Sequence, residues 1–330
     1  MRSWFGESAG VADIKRLRMG AAASPELVVV CVCTRERSQA LARCLPMVLS
    51  QQLPSAYRFQ VIVVDNSLSG NEKNNVQNLA GENIHYVHEP VAGIPIARNA
   101  AISGALRLDS NWIVFIDDDC VPTSGWLSRL LEIAVATDAD VLQGGLMRHA
   151  GDIEAYAAAF PRSPTPLAAR RCRNAATNNV ILRSWIVAEP VGLRFDTEMR
   201  ESGGSDGEFF MRAGDIGATI MRTDDAPVLE AWGEERGSPS YLCMRAFRVG
   251  ANCNYRYRKN RRPGIWAATL ILVRAGERFG RWGLRMLYST LLTPFSFRRA
   301  RHVAWMGILD LCFAWGCIAP YFGVRTTKYY

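Results

Sequence analysis

Short apolar runs of strand length, each followed by residues at helical spacing, constrain this chain more than any other feature. LVVVCVC (27–33), VIVV (61–64) and WIVFI (112–116) are continuous apolar runs, with IHYVH (84–88) as a further strand of the same series. Strands of this kind are covered on both faces. Between them, Leu41, Cys44, Leu45, Val48 and Leu49 fall three or four residues apart, on a helix that contains Pro46. A polar helix is expected through 71–80. Pro95 suits the first position of a helix whose face is Ala97, Ala101, Ile102, Ala105 and Leu106. Trp126, Leu127, Leu130, Leu131, Ala134 and Val135 mark another. This alternation predicts an α/β fold, a mostly parallel sheet with helices on both faces. Beyond residue 140, shorter strands are expected near 140–143, 177–182, 217–222 and 228–231, with a helix from about Asp206. Residues 237–330 read as Arg-rich and aromatic helices, broken at Pro263-Gly264 and Pro294.

In such sheets ligands bind beyond the carboxyl ends of the strands. That rule selects Thr34 and Arg35 after the first strand, Asp65 after the second, and Asp117, Asp118 and Asp119 after the fourth. Three adjacent carboxylates repel and raise one another's pKa. A bound Mg²⁺ or Mn²⁺ would resolve the conflict, because hard cations take oxygen ligands and share them with substrate phosphates; an acidic loop that caps the next helix is the alternative. No GxGxxG or GxxxxGK[ST] follows the first strand, where CTRERS (33–38) stands, which disfavours a dinucleotide site and a P-loop. GGSDG (203–207) looks like a loop delivering Asp206 at a helix start, although in isolation an ordinary N-cap aspartate accounts for it better.

With 49% hydrophobic and 21% charged residues over 330 positions, the chain is neither disordered, collagen-like nor a polytopic membrane protein. Its net charge of +8 is unevenly spread: residues 236–330 hold 17 Lys and Arg against Glu277 and Asp310, a net +15, so the first 235 carry −7. The nine cysteines show no CxxC or zinc spacing and read as buried apolar thiols in a reducing cytoplasm. Residues 1–26 carry Lys15, Arg16 and Arg18 without an apolar core and cleavage site, so a frayed extension is expected rather than a secretory signal. VAWMGILDLCFAWGCIAPYFG (303–323) is long enough to span a bilayer, but Asp310 near its centre would cost about 2.5–3.5 kcal/mol. Upstream, Trp266, Leu270, Val273, Trp282, Leu287 and Leu291 interleave with Arg274, Arg278, Arg281 and Arg285. Docking in the interface of an anionic membrane is expected ahead of a true span. A helical bundle packing on the preceding α/β domain is the alternative, and it does not exclude docking. Nucleic acid is not an expected partner, since it would explain the arginines but not the apolar runs.

Taken together, CTRERSQAL, IVVDNS, AGIPIARNAA, FIDDDCVPTSGWL and GGSDGEFF resemble, in order and approximate spacing, the family 2 glycosyltransferases, inverting nucleotide-sugar enzymes of GT-A fold. The resemblance covers about residues 27–235 as a GT-A domain, with 1–26 as an extension and 236–330 as a helical, membrane-associating region. ERGSPSYLCMRAFRVG (235–250) and the apolar, Arg-rich end look most like the bacterial branch that builds exopolysaccharide repeat units of the succinoglycan type. The resemblance implies that Thr34 and Arg35 lie against the nucleotide, that Asp65 binds the base, and that Arg98 sits near the nucleotide or pyrophosphate. It implies a DXD motif in which Asp119 is the metal ligand and Asp117 serves ribose or metal, with Asp118 beside the nucleotide sugar. It makes Asp206 the catalytic base, with Glu208 as the competing candidate. The sequence departs from the family pattern at Ser205, usually acidic, and at Arg35-Glu36, more often an aromatic-Asn pair.

The implied reaction is transfer of one hexose, from a UDP-sugar by default and with Mn²⁺ or Mg²⁺, to a lipid-linked or saccharide acceptor at the cytoplasmic face of a bacterial inner membrane. One sugar per acceptor is expected because no QxxRW-type signature is evident. A single base opposite the leaving group gives inversion. The alternatives are a catalytically silent nucleotide-sugar-binding scaffold and a sugar nucleotidyltransferase; CTRERS argues against the latter.

Overall fold

The computed structural model describes residues 25–79, 81, 83–149, 151–160, 168–231, 238–260 and 264–324. The expectations for residues 1–24 and for Pro263 lie outside these. The chain divides into two compact units, one of Met1–Arg200 with Ser205–Trp232 and one of Glu201–Gly204 with Gly233–Tyr330.

The first unit is built on β1 (Glu26–Thr34), β2 (Tyr57–Asp65), β3 (Ile84–His88) and β4 (Trp112–Asp117), which lie side by side in the order β3-β2-β1-β4, all parallel. Val28 through Val32 and Val61 through Val64 are buried, as uninterrupted apolar runs require. Helices α1 (Ser38–Leu49), α2 (Lys73–Asn78), α3 (Ile94–Arg107) and α4 (Trp126–Ala136) follow in alternation with the strands. Leu41, Cys44, Leu45 and Val48 of α1 and Leu127, Leu130 and Leu131 of α4 bury against one face of the sheet. Ala97, Ala101, Ile102 and Ala105 of α3 bury against the other, with Phe209 and Phe210. The mostly parallel α/β architecture expected from the sequence is the observed one. α3 starts at Gly93, whose φ of +151° and whose distance of only 2.9 Å from a Cβ position to the Cβ of Arg200 admit no larger residue without strain.

Past β4 the sheet becomes mixed. β5 (Cys120–Pro122), β6 (Val141–Gln143), β7 (Leu146–His149), β8 (Arg170–Arg171), β9 (Asn179–Arg183), β10 (Ile220–Arg222) and β11 (Val228–Ala231) complete the strands. The main sheet continues through β9-β6-β10-β8, and β5-β11-β7 forms a small second sheet. α5 (Ile153–Ala158) packs on that second sheet, with Ile153 and Ala157 against Val121 and Leu229, and α6 (Ser205–Asp215) precedes β10. Asn179 ties the two sheets together: it is fully buried, accepts from Trp126 Nε1 at 2.9 Å, and donates to the carbonyls of Gly145 (2.8 Å) and Ala226 (2.9 Å).

Among its described residues the second unit contains three α-helices, α7 (Pro239–Asn260), α8 (Ile265–Leu292) and α9 (Phe297–Ile318). α9 packs against both of the others. Its Gly316 lies so close to the Phe247 carbonyl of α7, and α7's Gly250 so close to the Phe313 carbonyl of α9, that neither position has room for a Cβ. Asp310 of α9, 3% exposed, is clasped by Arg278 (2.7 Å) and Arg285 (2.6 Å) of α8. The carboxylate that disfavours a lone span is thus neutralised within the helical unit. Among the described residues one helical segment, Phe297–Phe322, is long and apolar enough to cross a membrane. Asn252 of α7 donates to the Gly203 carbonyl at 2.8 Å, and Gly204, with φ of +78°, would place a Cβ 2.5 Å from the Asn252 amide.

Candidate active site

The parallel register brings the chemistry together. Thr34 at the end of β1 is level with Asp65 at the end of β2, and Cys33 is level with Asp117 at the end of β4. The polar residues selected from the sequence therefore share one edge of the sheet.

Asp118 is nearly buried, accepting from Thr34 Oγ1 at 2.8 Å and from Arg37 at 3.2 Å. The same Arg37 nitrogen reaches Asp119 Oδ2 at 3.4 Å. Burial pushes the pKa of Asp118 up despite these two donors. Asp117, its side chain 44% exposed, meets Arg98 at 3.8 Å. Its recessed position, together with the Asp119, Asp118 and Asp206 carboxylates, pushes it up to about 6 against the pull of Arg98. Arg98 also donates to Ser205 Oγ at 3.5 Å and lies 5.6 Å from the centre of the Phe195 ring. Part of the charge of the acidic run, for which the sequence suggests a metal ion, is compensated by Arg37 and Arg98. Arg35 is half-buried after β1.

Asp206 stands in the first turn of α6, half-buried, where its carboxylate accepts from Gly207 N at 2.9 Å. Its neighbour Ser205 accepts from Arg98, the same side chain that meets Asp117, which places the start of α6 beside the acidic group. Glu208 points elsewhere: it is buried and doubly paired to Arg212, which also donates to the Arg194 carbonyl at 2.7 Å.

Asp65 is fully buried. It accepts from Ser67 N and Glu72 N, each at 2.9 Å, and from Tyr86 Oη at 3.1 Å. Burial alone would raise its pKa, but these hydrogen bonds outweigh it and hold the carboxyl below its ordinary range. Burial and the contact with Asp65 push the Tyr86 hydroxyl up to about 12. Asp65 thus organises the loop after β2, at the edge of an open groove of about 660 Å³ whose lining includes Ser69, Lys73, Tyr86 and His88.

Two residues of this site were not singled out in the sequence. Arg37 lies two places beyond Arg35, and its charge inside CTRERS was the available signal. Phe195 gave none, because its contact with Arg98 joins residues distant in the chain. No group of three or more His, Cys, Asp or Glu side chains among the described residues forms a ready-made metal cluster. Asp117 and Asp119 nevertheless suit a hard cation: oxygen donors on the ligand rim, with the former still raised after Arg98 has acted.

An acidic rim of this kind on a mostly parallel α/β sheet accompanies a direct family match: residues 28–183 match glycosyl transferase family 2. The chain belongs to that family and is a glycosyltransferase, with the GT-A fold in its α/β unit. It is 33% identical over 231 residues to the succinoglycan biosynthesis protein ExoM of Rhizobium meliloti (strain 1021), covering 66% of this chain and 71% of that protein. The crystal structure of S. aureus TarS is similar at a TM-score of 0.46 with 17% identity, over 68% of this chain and 39% of that one. The chain thus spans about two fifths of the TarS structure.

Proposed function

We propose that the chain is an inverting hexosyltransferase of bacterial exopolysaccharide synthesis, of the succinoglycan type named in its relative. It moves one sugar from a nucleotide donor, UDP-linked by family preference, to a lipid-linked or saccharide acceptor. The observation that carries this reading is the convergence of Asp117, Asp118 and Asp119 on the rim beside Thr34 and Asp65, with Asp206 next to the Ser205 that Arg98 joins to Asp117, while Glu208 is withdrawn into its pair with Arg212. Thr34, Arg35, Asp118 and the Asp65 loop form the nucleotide side of the site, with Arg98 towards the pyrophosphate. Asp119 and Asp117 would hold Mg²⁺ or Mn²⁺, which when bound neutralises the departing diphosphate. Asp206 takes the proton of the acceptor hydroxyl as its oxygen bonds to the anomeric carbon. The bond from that carbon to the phosphate oxygen breaks in the same displacement, the nucleoside diphosphate leaves, and the configuration inverts.

The basic, apolar helices of 236–330 support a place at the cytoplasmic face of the inner membrane, peripheral or monotopic, with the membrane surface as partner. A thermal-shift panel of nucleotide sugars with and without Mn²⁺ tests the donor assignment, because a ligand that binds only the folded chain raises its melting temperature. One donor should stabilise the protein in a Mn²⁺-dependent way, and the glycosidic product should show inverted configuration by NMR. A panel without any stabilising nucleotide sugar would overturn the reading.

A further inference from the structure

Among the described residues, the outer face of α8 is exposed along its length. At 3.6 residues per turn, the buried residues Ala267, Ile271, Ala275 and Ser289 fall on one side of it. Val273, Leu284, Leu287 and Leu291 fall on the opposite side and are exposed, Leu284 by 69% and Leu287 by 60%. Gly276, Gly280 and Gly283 lie on the same outer side, and nothing stands within 4 Å of where a Cβ would be. Four of the five charges of this helix lie off that side, and the fifth, Glu277, stands at its border. Arg278 and Arg285 turn inward to Asp310, while Arg274 (3.2 Å) and Arg281 (2.8 Å) both hold Glu277 along one flank. A continuous uncharged strip therefore runs along a helix about 42 Å long. Five charged side chains make that helix unfit to cross a bilayer, but their segregation suits one that lies in its plane.

The end of the strip adds a charge argument. After α8 come Phe295, 86% exposed, and Phe297, followed by Arg298, Arg299 and Arg301 in the first turns of α9, all exposed. No acidic residue shares that first turn. Cations at the positive end of a helix dipole are unfavourable unless an anion is near. Aromatic side chains beside such a cluster match the boundary of a bilayer whose headgroups carry the anion.

The geometry points to the outer face of α8, with the Phe295–Arg301 turn, as the surface that lies flat in the headgroup boundary of an anionic bilayer. This rests on the membrane association proposed above and names its element. α9, the apolar candidate for crossing, packs against both α7 and α8 and is pinned to α8 through Arg278 and Arg285.

The test is flotation of the full chain with vesicles of phosphatidylcholine alone and of phosphatidylcholine mixed equally with phosphatidylglycerol. Wild-type protein should float preferentially with the mixed vesicles. The double variant Leu284→Gln/Leu287→Gln should keep its circular dichroism and melting temperature, since both side chains are exposed, and lose about tenfold or more in binding. Arg298→Gln/Arg299→Gln should lose about tenfold of the preference for anionic vesicles. A leucine variant that floats like wild type overturns the assignment of this face while leaving membrane association intact. Wild-type protein that floats with neither vesicle overturns the association itself. A wild-type dimer by light scattering, split by the leucine substitutions and inert towards vesicles, would show that the strip seats a second copy and overturn the inference.

Discussion

Glu208 and Arg212, one helical turn apart in α6, hold each other through two contacts of 2.6 Å that keep Glu208 inside the protein. Asp206, two residues earlier, sits by the acidic rim instead. The two acidic residues of GGSDGEFF therefore have separate surroundings. Asp206→Asn should bind donor with near wild-type affinity and lose about 10²–10⁴-fold in turnover. Glu208→Gln should instead lower stability by about 1–3 kcal/mol, because Arg212 loses part of its partner. Calorimetry with donor, turnover and thermal melts of both variants check the division; a dead but stable Glu208→Gln would reverse it.

Metal affinity should depend on pH through Asp117. Its pKa of about 6 without metal means that a proton and a cation compete for it at lower pH. Mn²⁺ affinity should be insensitive to this group well above pH 6 and fall about tenfold per unit below it. Titrating Mn²⁺ by calorimetry between pH 5 and 8 measures this, and Asp117→Asn should flatten that dependence.

Asp119→Asn should abolish metal-dependent donor binding while the fold stays intact, since removing one of several crowded carboxylates relieves repulsion. The measurement is donor titration with and without Mn²⁺, alongside a melting curve. Retained metal dependence would remove Asp119 from the ligand set.

Asp65 links pH to stability with the opposite sign from a raised group. Its folded pKa is depressed, so its contribution is present above the unfolded value of about 3.9 and disappears as pH falls through the lower folded value. Asp65→Asn should be less stable by about 1–3 kcal/mol near neutrality. The gap to wild type should close on acidification below about pH 4. Thermal melts over that range give the comparison.

What could be read ahead of the structure follows from how local each cause is. β1, β2 and β4 are runs whose burial is written in their own residues, and the edge they share follows from parallel strand direction. β5 is not legible in its own residues, which directly follow the acidic run; it exists because Val121 meets Leu229 on a strand more than a hundred residues away. β7 and the short α5 escaped for the same reason, as both are organised around β11. At the site, Thr34 and the aspartates were legible from strand ends. The bond from Thr34 to Asp118, the bridge made by Arg37 and the inward turn of Glu208 depend on side chains meeting in space, which spacing along the chain does not encode.

The Gly203 carbonyl held by Asn252 bears on how the enzyme can be taken apart. Residues 201–204 belong to the helical unit although they sit immediately before the helix that carries Asp206. A fragment ending near residue 232 would keep Asp117, Asp118, Asp119 and Asp206 and still lose the hydrogen bond that holds the chain three residues before Asp206. Such a fragment would make a poor stand-in for the enzyme, because a segment of the helical unit fixes the backbone that leads into α6.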